Sequence, residues 1–289
     1  GVNILHVKGA PYEMGYQHGY LLADQISLMV NRTLLGTAAF IAAQTDTTTK
    51  AAMDMLWRGQ RMAEPFLPAS CREEIQGIAD GALDAGADVT REQILLWNTN
   101  YDQWCLYVHP GYWRGCCDPG AGPAVGSGAP GGGCSSFCAW DEWAGGDGRL
   151  IFGKNEDNFN MPEQLERRIM VVADPEGGFG HAFMTYPGMI GLDGGVNERG
   201  LEMMTQLSSM RQESMAGCGI AVFTRLLLTH AASLDDAIEI FSATPRCAGI
   251  AYHVADAGAK TAAVVETSAK MVCVRYPEPG VKALTPGSG

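Results

Sequence analysis

Between Pro119 and Gly133 the chain is almost wholly Gly, Pro and Ala, and the run stops at Cys134. No regular element persists through such a stretch, because glycine carries the largest backbone entropy cost and proline removes a donor. The run divides the chain, and the hydrophobic period changes across it. Before it the spacing is helical: helices are expected near Tyr20 to Gln44, Thr49 to Phe66 and Cys71 to Ala85, with a fourth opening at Thr90, where Gln93 completes a capping box. A short strand, Asn3 to Lys8, precedes them and leads into the glycine-punctuated segment Gly9 to Gly19. After the run, short apolar stretches alternate with turn residues: Ile169 to Ala173, His181 to Thr185, Met189 to Val196 and Leu201 to Leu207 read as a strand meander. Helical sequence returns at Gly219 to His230 and, capped by Ser233, at Leu234 to Ser242, before three last strands at Ile250 to Ala255, Ala262 to Thr267 and Met271 to Tyr276. This order predicts an α+β fold with sheets packed face to face under helices.

Composition narrows the partners. The 289 residues, 46% of them hydrophobic, suffice for one large layered domain or two smaller ones. A formal net charge of -12 with no Lys/Arg cluster argues against nucleic acid and anionic membrane surfaces. Apolar runs such as Gly219 to Leu228 are broken by Thr and Arg and fall short of the ~20 residues that span a bilayer, so no membrane span is expected. Nine cysteines are too sparse for a disulfide scaffold, and mostly free thiols are expected. No glycine turn is followed by Gly-Lys-Ser/Thr and no two histidines sit at metal-ligand spacing, so no cofactor is expected.

The chemistry gathers at the end of the Gly-rich run. Cys134-Ser-Ser-Phe-Cys-Ala-Trp140 reads as a strand, Gly145 to Gly148 as a turn, and Leu150 to Asp157 as the returning strand, which brings a thiol near a carboxylate. If the Gly133-Cys134 bond is cut, the new α-amino group, with an ordinary pKa near ~8, can serve as base for its own thiol. Thiol attack on the Gly133 carbonyl moves the acyl group to sulfur, and water releases it. Phe137, Trp140, Phe152, Phe159 and Tyr186 are candidates for the walls of an apolar cleft. Plainer readings stay open beside these: a linker for 119–133, turn chemistry for Asp157 and Asn197, a structural thiol for Cys138.

These residues resemble a known family. Cys134-Ser-Ser, followed by Gly153-Lys154-Asn155-Glu156-Asp157, is similar to the nucleophile and Gly-x-Asn-x-Asp element of the acyl-coenzyme A:6-aminopenicillanic acid acyltransferases and their choloylglycine hydrolase and acid ceramidase relatives. Gly9 to Gly19 resembles the opening of that family's propeptide, and Gly195-Val-Asn197-Glu-Arg-Gly200-Leu201 its Asn-Glu-Lys-Gly-Leu turn. The resemblance implies a four-layer αββα sandwich of the N-terminal nucleophile hydrolase type: a helical leader, 1–133, ahead of a catalytic core, 134–289. It implies a self-processing enzyme acting on linear amide bonds of small N-acyl compounds, with acyl transfer to an amine as the variant outcome; a non-catalytic binding protein on the same fold is the alternative. Cys134 is then nucleophile and new N-terminus, Asp157 holds it reactive, and Asn155, Lys154 and Asn197 complete the site. The implied partners are a small-molecule amide and, after cleavage, the chain's own leader, with association between copies left open. Two departures stand out. Lys154 occupies a position often filled by Arg, whose planar fork it lacks. The family's late Thr-Asn element is absent, Thr285 being followed by Pro286, which favours a natural chain continuing past Gly289, or Gln206 as substitute oxyanion donor.

Overall fold

The structure is a computed structural model that describes residues 2–116, 134–156, 166–208 and 213–277, with the side chains of 104–116 left aside. The helical half comprises β1 (Asn3–Gly9), α1 (Pro11–Leu21), α2 (Ala23–Thr45), α3 (Thr49–Ala63), α4 (Ala69–Asp84) and α5 (Arg91–Cys116). The second half contains β2 (Ser135–Trp140), β3 (Leu150–Asn155), β4 (Ile169–Pro175), β5 (His181–Thr185), β6 (Gly194–Asn197), β7 (Leu201–Leu207), α6 (Ile220–His230), α7 (Leu234–Ala243), β8 (Ile250–Asp256), β9 (Thr261–Thr267) and β10 (Val272–Arg275).

Eight strands form one sheet in the order β1-β4-β5-β6-β7-β8-β9-β10. Every pairing is antiparallel except that of β1 with β4, which is parallel from Asn3 opposite Ile169 to Gly9 opposite Pro175. Alternation sets the two faces. Leu201 and Met203 of β7, Ile250, Tyr252 and Val254 of β8, and Ala263 and Val265 of β9 enter the main core. There they meet α6 and α7, where the rings of Phe223, Phe241 and Tyr252 pack with centroids 4.5–5.9 Å apart. The opposite face carries the β2–β3 hairpin, whose register sets Ser136 against Lys154 and Cys138 against Phe152. The α+β expectation thus holds, whereas the described residues give the second sheet two strands only.

The helical half is not a separate body. β1 lies inside the large sheet, and Arg225 of α6 makes a two-pronged ion pair with Glu74 of α4 at 2.9 and 3.0 Å, both side chains buried. Arg225 also donates to His181 Nε2 at 2.5 Å, whose Nδ1 bonds Phe179 O at 2.7 Å. His18 Nε2 accepts from the Gly188 amide at 2.9 Å.

Local detail differs in three segments. Gly9 to Gly19 is itself largely helix: Pro11 opens α1, and Glu13 Oε2 accepts from the Ala10 amide at 3.0 Å. Its Gly15 and Gly19 face Gly77 and Gly81 of α4, so that the two backbones touch; glycines spaced at four residues mark a contact seam here. The stretch Met189 to Val196 is strand only from Gly194; Met189, Ile190 and Leu192 are buried in a loop held by α5, through Asn98 to Gly188 O and the Ile190 amide and through Trp97 to Pro187 O. Apolar burial without alternation produced the longer reading. Finally, α2 is 23 residues and apolar enough, by length and composition, to cross a membrane; half of its apolar window is buried inside the protein, with Ile26, Met29, Val30 and Ile41 in the core.

Candidate active site

Cys134 immediately precedes β2, and its half-buried thiol donates to Glu156 Oε2 at 3.4 Å, from the residue just after β3. The hairpin register makes this contact: Ser135 pairs with Asn155, so the residues flanking that pair come together across the open end. Glu156 is held from two further sides. Lys154 Nζ lies 2.5 Å from Oε2, and Tyr101 of α5 donates to Oε1 at 3.3 Å. The helical half therefore reaches Cys134 through one intermediate side chain.

Lys154 points inward to the large sheet, its side chain 11% exposed. It donates to Asp193 O at 3.1 Å and to Thr205 Oγ1 at 3.2 Å, with Asp193 Oδ1 3.8 Å away. As a point charge it uses its three N–H groups in diverging directions, where Arg would offer a flat fork. Asp193 is paired in turn with Arg168, at the start of β4, at 2.7 Å. Burial, opposed by Lys154 and reinforced by Glu156, pushes the Asp193 carboxyl up to about 6. Burial also works against the Arg168 charge, but Asp193 and Tyr186 outweigh it and hold the guanidinium more firmly protonated than usual. Two carboxylates and two cations thus form a balanced cluster beside the thiol.

A cavity of about 320 Å³ opens along this cluster. Its polar edge is Lys154, Glu156, Arg168 and Asp193, and its walls include Phe152, Met170, Met184 and Met204, between β3 and the open face of the large sheet. Of the aromatic walls expected from the sequence, Phe152 lines it. Phe137 lies on the outer hairpin face, 57% exposed with its ring over Gly153, and Tyr186 is buried behind Arg168. Phe159 lies outside the described residues.

The remaining sequence candidates separate. Asn155 is exposed on the outer side of β3. Asp157 and Gly133 lie outside the described residues, as do Thr285 and Cys117. Asn197 is buried at the β6–β7 reversal: its Nδ2 donates to Leu228 O and Ala231 O at 3.1 and 2.8 Å, and its Oδ1 accepts from the Arg199 and Leu201 amides. It is not brought to Cys134. Gln206 donates to Ser136 Oγ, which also contacts His253 Nδ1 at 2.9 Å. Cys138 faces the large sheet, where burial, aided by Glu202, pushes its thiol up to about 12. Sequence reading missed Glu156, Tyr101, Arg168 and Asp193. Glu156 stands at a position of the Gly-x-Asn-x-Asp element with no prescribed type, and the other three come from distant elements at no fixed spacing.

The sequence model of the family "Acyl-coenzyme A:6-aminopenicillanic acid acyl-transferase" matches residues 143–285, which include Lys154, Glu156, Arg168 and Asp193. An uncharacterized protein of Archaeoglobus fulgidus is 30% identical over 284 residues, 96% of this chain, so that the chain spans 45% of that relative's length. Among solved structures, penicillin V acylase from Agrobacterium tumefaciens aligns at 18% identity over 34% of this chain and 33% of its own, with a TM-score of 0.28. A variant of the conjugated bile acid hydrolase from Clostridium perfringens aligns at 13% identity over 50% of this chain and 51% of its own, with a TM-score of 0.35. The match spans the sheet-forming half of the chain, and the segment 143–285 is similar to the acyl-coenzyme A:6-aminopenicillanic acid acyl-transferase family.

Proposed function

We propose that the chain is a self-processing cysteine N-terminal nucleophile enzyme that cleaves linear amide bonds of small N-acyl compounds. The observation that carries this is the Cys134 thiol at the head of β2, in contact with Glu156 and one residue removed from Lys154; Cys134 and β2 lie just ahead of the family-matched segment, and β3, Lys154 and Glu156 lie within it. Cleavage at Gly133-Cys134 would free the α-amine that serves as the thiol's base in turnover. Attack by sulfur on a substrate carbonyl forms a thioester, which water resolves in hydrolysis and an amine in acyl transfer; hydrolysis is the preferred outcome. The methionine-walled cavity favours an apolar acyl part, since flexible thioethers adapt to irregular apolar shapes. The cut leader would remain bound, because β1 and the Glu74–Arg225 pair tie it to the rest. The four-layer αββα sandwich is part of the same proposal, supported by the hairpin lying on the open sheet face with Phe137 and Ile151 exposed on its outer side.

Intact mass and N-terminal sequencing of purified protein test this directly. A fragment beginning at Cys134 is expected, absent in Cys134→Ala, together with an acyl adduct on Cys134 after mixing with N-acyl amides of small apolar acids. A correctly processed, accessible Cys134 that forms no adduct across a broad panel would favour the non-catalytic binding protein.

A further inference from the structure

Before cleavage the Cys134 nitrogen is an amide, so the free α-amine that serves as base in turnover does not yet exist. Self-cleavage therefore needs another proton acceptor at the thiol. Among the described residues, the carboxylate that meets Cys134 Sγ is Glu156, at 3.4 Å and with the thiol as donor. Its side chain is 8% exposed, so bulk water does not compete freely for the thiol proton, and its geometry is fixed by Lys154 on Oε2 and Tyr101 on Oε1. We propose that Glu156 is the general base of the self-cleavage step, and that Tyr101, supplied by the leader, is its positioning residue. The inference rests on Cys134 being the processing nucleophile.

The step balances without any further reactant. The thiol proton passes to Glu156 Oε2 as sulfur attacks the Gly133 carbonyl carbon. The tetrahedral adduct collapses by breaking the C–N bond, and the departing nitrogen takes the proton back from Glu156 to become the α-amino group. Water then adds to the thioester carbonyl, the C–S bond breaks, and the products are the Gly133 carboxylic acid and the Cys134 thiol. Lys154 Nζ lies beside Glu156 Oε2 in the resting state and stays within reach of the carboxyl while it carries the proton. Because Tyr101 belongs to α5, the leader takes part in its own release from the nucleophile. A base needed only before the α-amine appears gives the position a maturation role that the family's nucleophile element does not prescribe.

The test follows processing of freshly purified full chain over time by intact mass, for wild type, Cys134→Ala, Glu156→Gln and Tyr101→Phe. A positioned general base contributes on the order of 10²–10⁴ in rate. Glu156→Gln is thus expected to slow processing at least ~100-fold near pH 7. Its rate should then climb about tenfold per pH unit from about pH 6 to 8, as hydroxide takes the proton from a thiol of ordinary pKa near ~8.5, while the wild type stays nearly flat. Tyr101→Phe should slow processing by several-fold and keep the flat profile. A Glu156→Gln variant that processes at the wild-type rate, or slowly with a flat profile, overturns the assignment and leaves Cys134 in place if Cys134→Ala stays one chain. Processing that survives in Cys134→Ala, or a wild type that never cleaves, removes the underlying reading and this inference with it. Should Glu156→Gln not fold, Glu156→Asp serves: it keeps the charge for Lys154 but withdraws the oxygen by one methylene, and wild-type processing in it is the overturning result.

Discussion

The seam between α1 and α4 makes the sharpest quantitative prediction. Gly15 and Gly19 on one helix, Gly77 and Gly81 on the other, bring the backbones together so closely that a methyl at Gly15 would lie 2.1 Å from the Glu74 carbonyl oxygen, and one at Gly77 2.1 Å from the Tyr12 carbonyl oxygen. The obstacle is main chain, which no rotamer change removes. The helices must separate by about 1 Å, and this strips contact along a seam that also aligns Tyr12 with Asp80 and Tyr16 with Asp84 at 2.9 and 2.8 Å. Overpacking of this kind costs about 1–3 kcal/mol, with a rigid obstacle at the upper end. Replacing a helical glycine by alanine returns about 1 kcal/mol of propensity. The clash wins by about 2 kcal/mol, which for a chain of this size lowers the melting temperature by roughly 4–8 °C. Gly15→Ala and Gly77→Ala, melted by circular dichroism, should each show this fall. Both force apart the same pair of helices, so the double variant should lose less than the sum. A Gly15→Ala protein that melts at or above wild type would mean that propensity dominates and that the seam is looser than the structure has it.

Further outcomes follow from the buried charges and thiols. Glu74→Ala leaves the buried Arg225 unpaired and should cost about 3–5 kcal/mol in urea unfolding, with Glu74→Ala/Arg225→Met recovering part of it; equal stability of the single variant and wild type would refute the buried pair. Native alkylation should reach Cys273, which is exposed, and Cys134, while Cys71 and Cys218, pushed up to about 12 mainly by burial, stay silent; in a Cys273→Ser background one adduct per chain should abolish turnover, and an unmodified Cys134 at full inactivation counts against its role. Burial first and Arg225 second lower both His18 and His181 to about 3. Their folded pKa lies below the unfolded ~6.5, so the unfolded chain binds protons first and stability, complete above ~6.5, falls toward pH 3 by about 1.4 kcal/mol per pH unit for each imidazole. His18→Gln, which can still accept from the Gly188 amide, should flatten that decline; an unchanged slope would show that His18 is not the group responsible.

The sequence was most legible where a single local rule decides. The strands His181–Thr185 and Leu201–Leu207 and the helices behind the Ser233 and Thr90 caps needed no knowledge of their neighbours, because alternation, capping and helical spacing are carried in the segment itself. Legibility failed where the deciding partner is far along the chain. Gly15 and Gly19 read locally only as glycine punctuation, and their place in a helix seam shows once α4 supplies glycines of its own. Met189 to Leu192 reads as strand until Asn98 takes its backbone bonds. The site divides the same way. Cys134 and Lys154 were found because a Gly-rich run and a strand hairpin mark them in sequence, whereas Arg168 and Asp193 belong to a charge cluster assembled by sheet order. Asn197 shows the converse, for its polar atoms are all spent on closing the β6–β7 reversal and on the carbonyls at the end of α6, so a motif residue holds the turn on which the sheet depends. Glu156 lies between these cases. It sits in the hairpin the sequence announced, at a position where the family element prescribes no residue type, and only the pairing of Ser135 with Asn155 shows that the chain has placed a carboxylate on the Cys134 thiol.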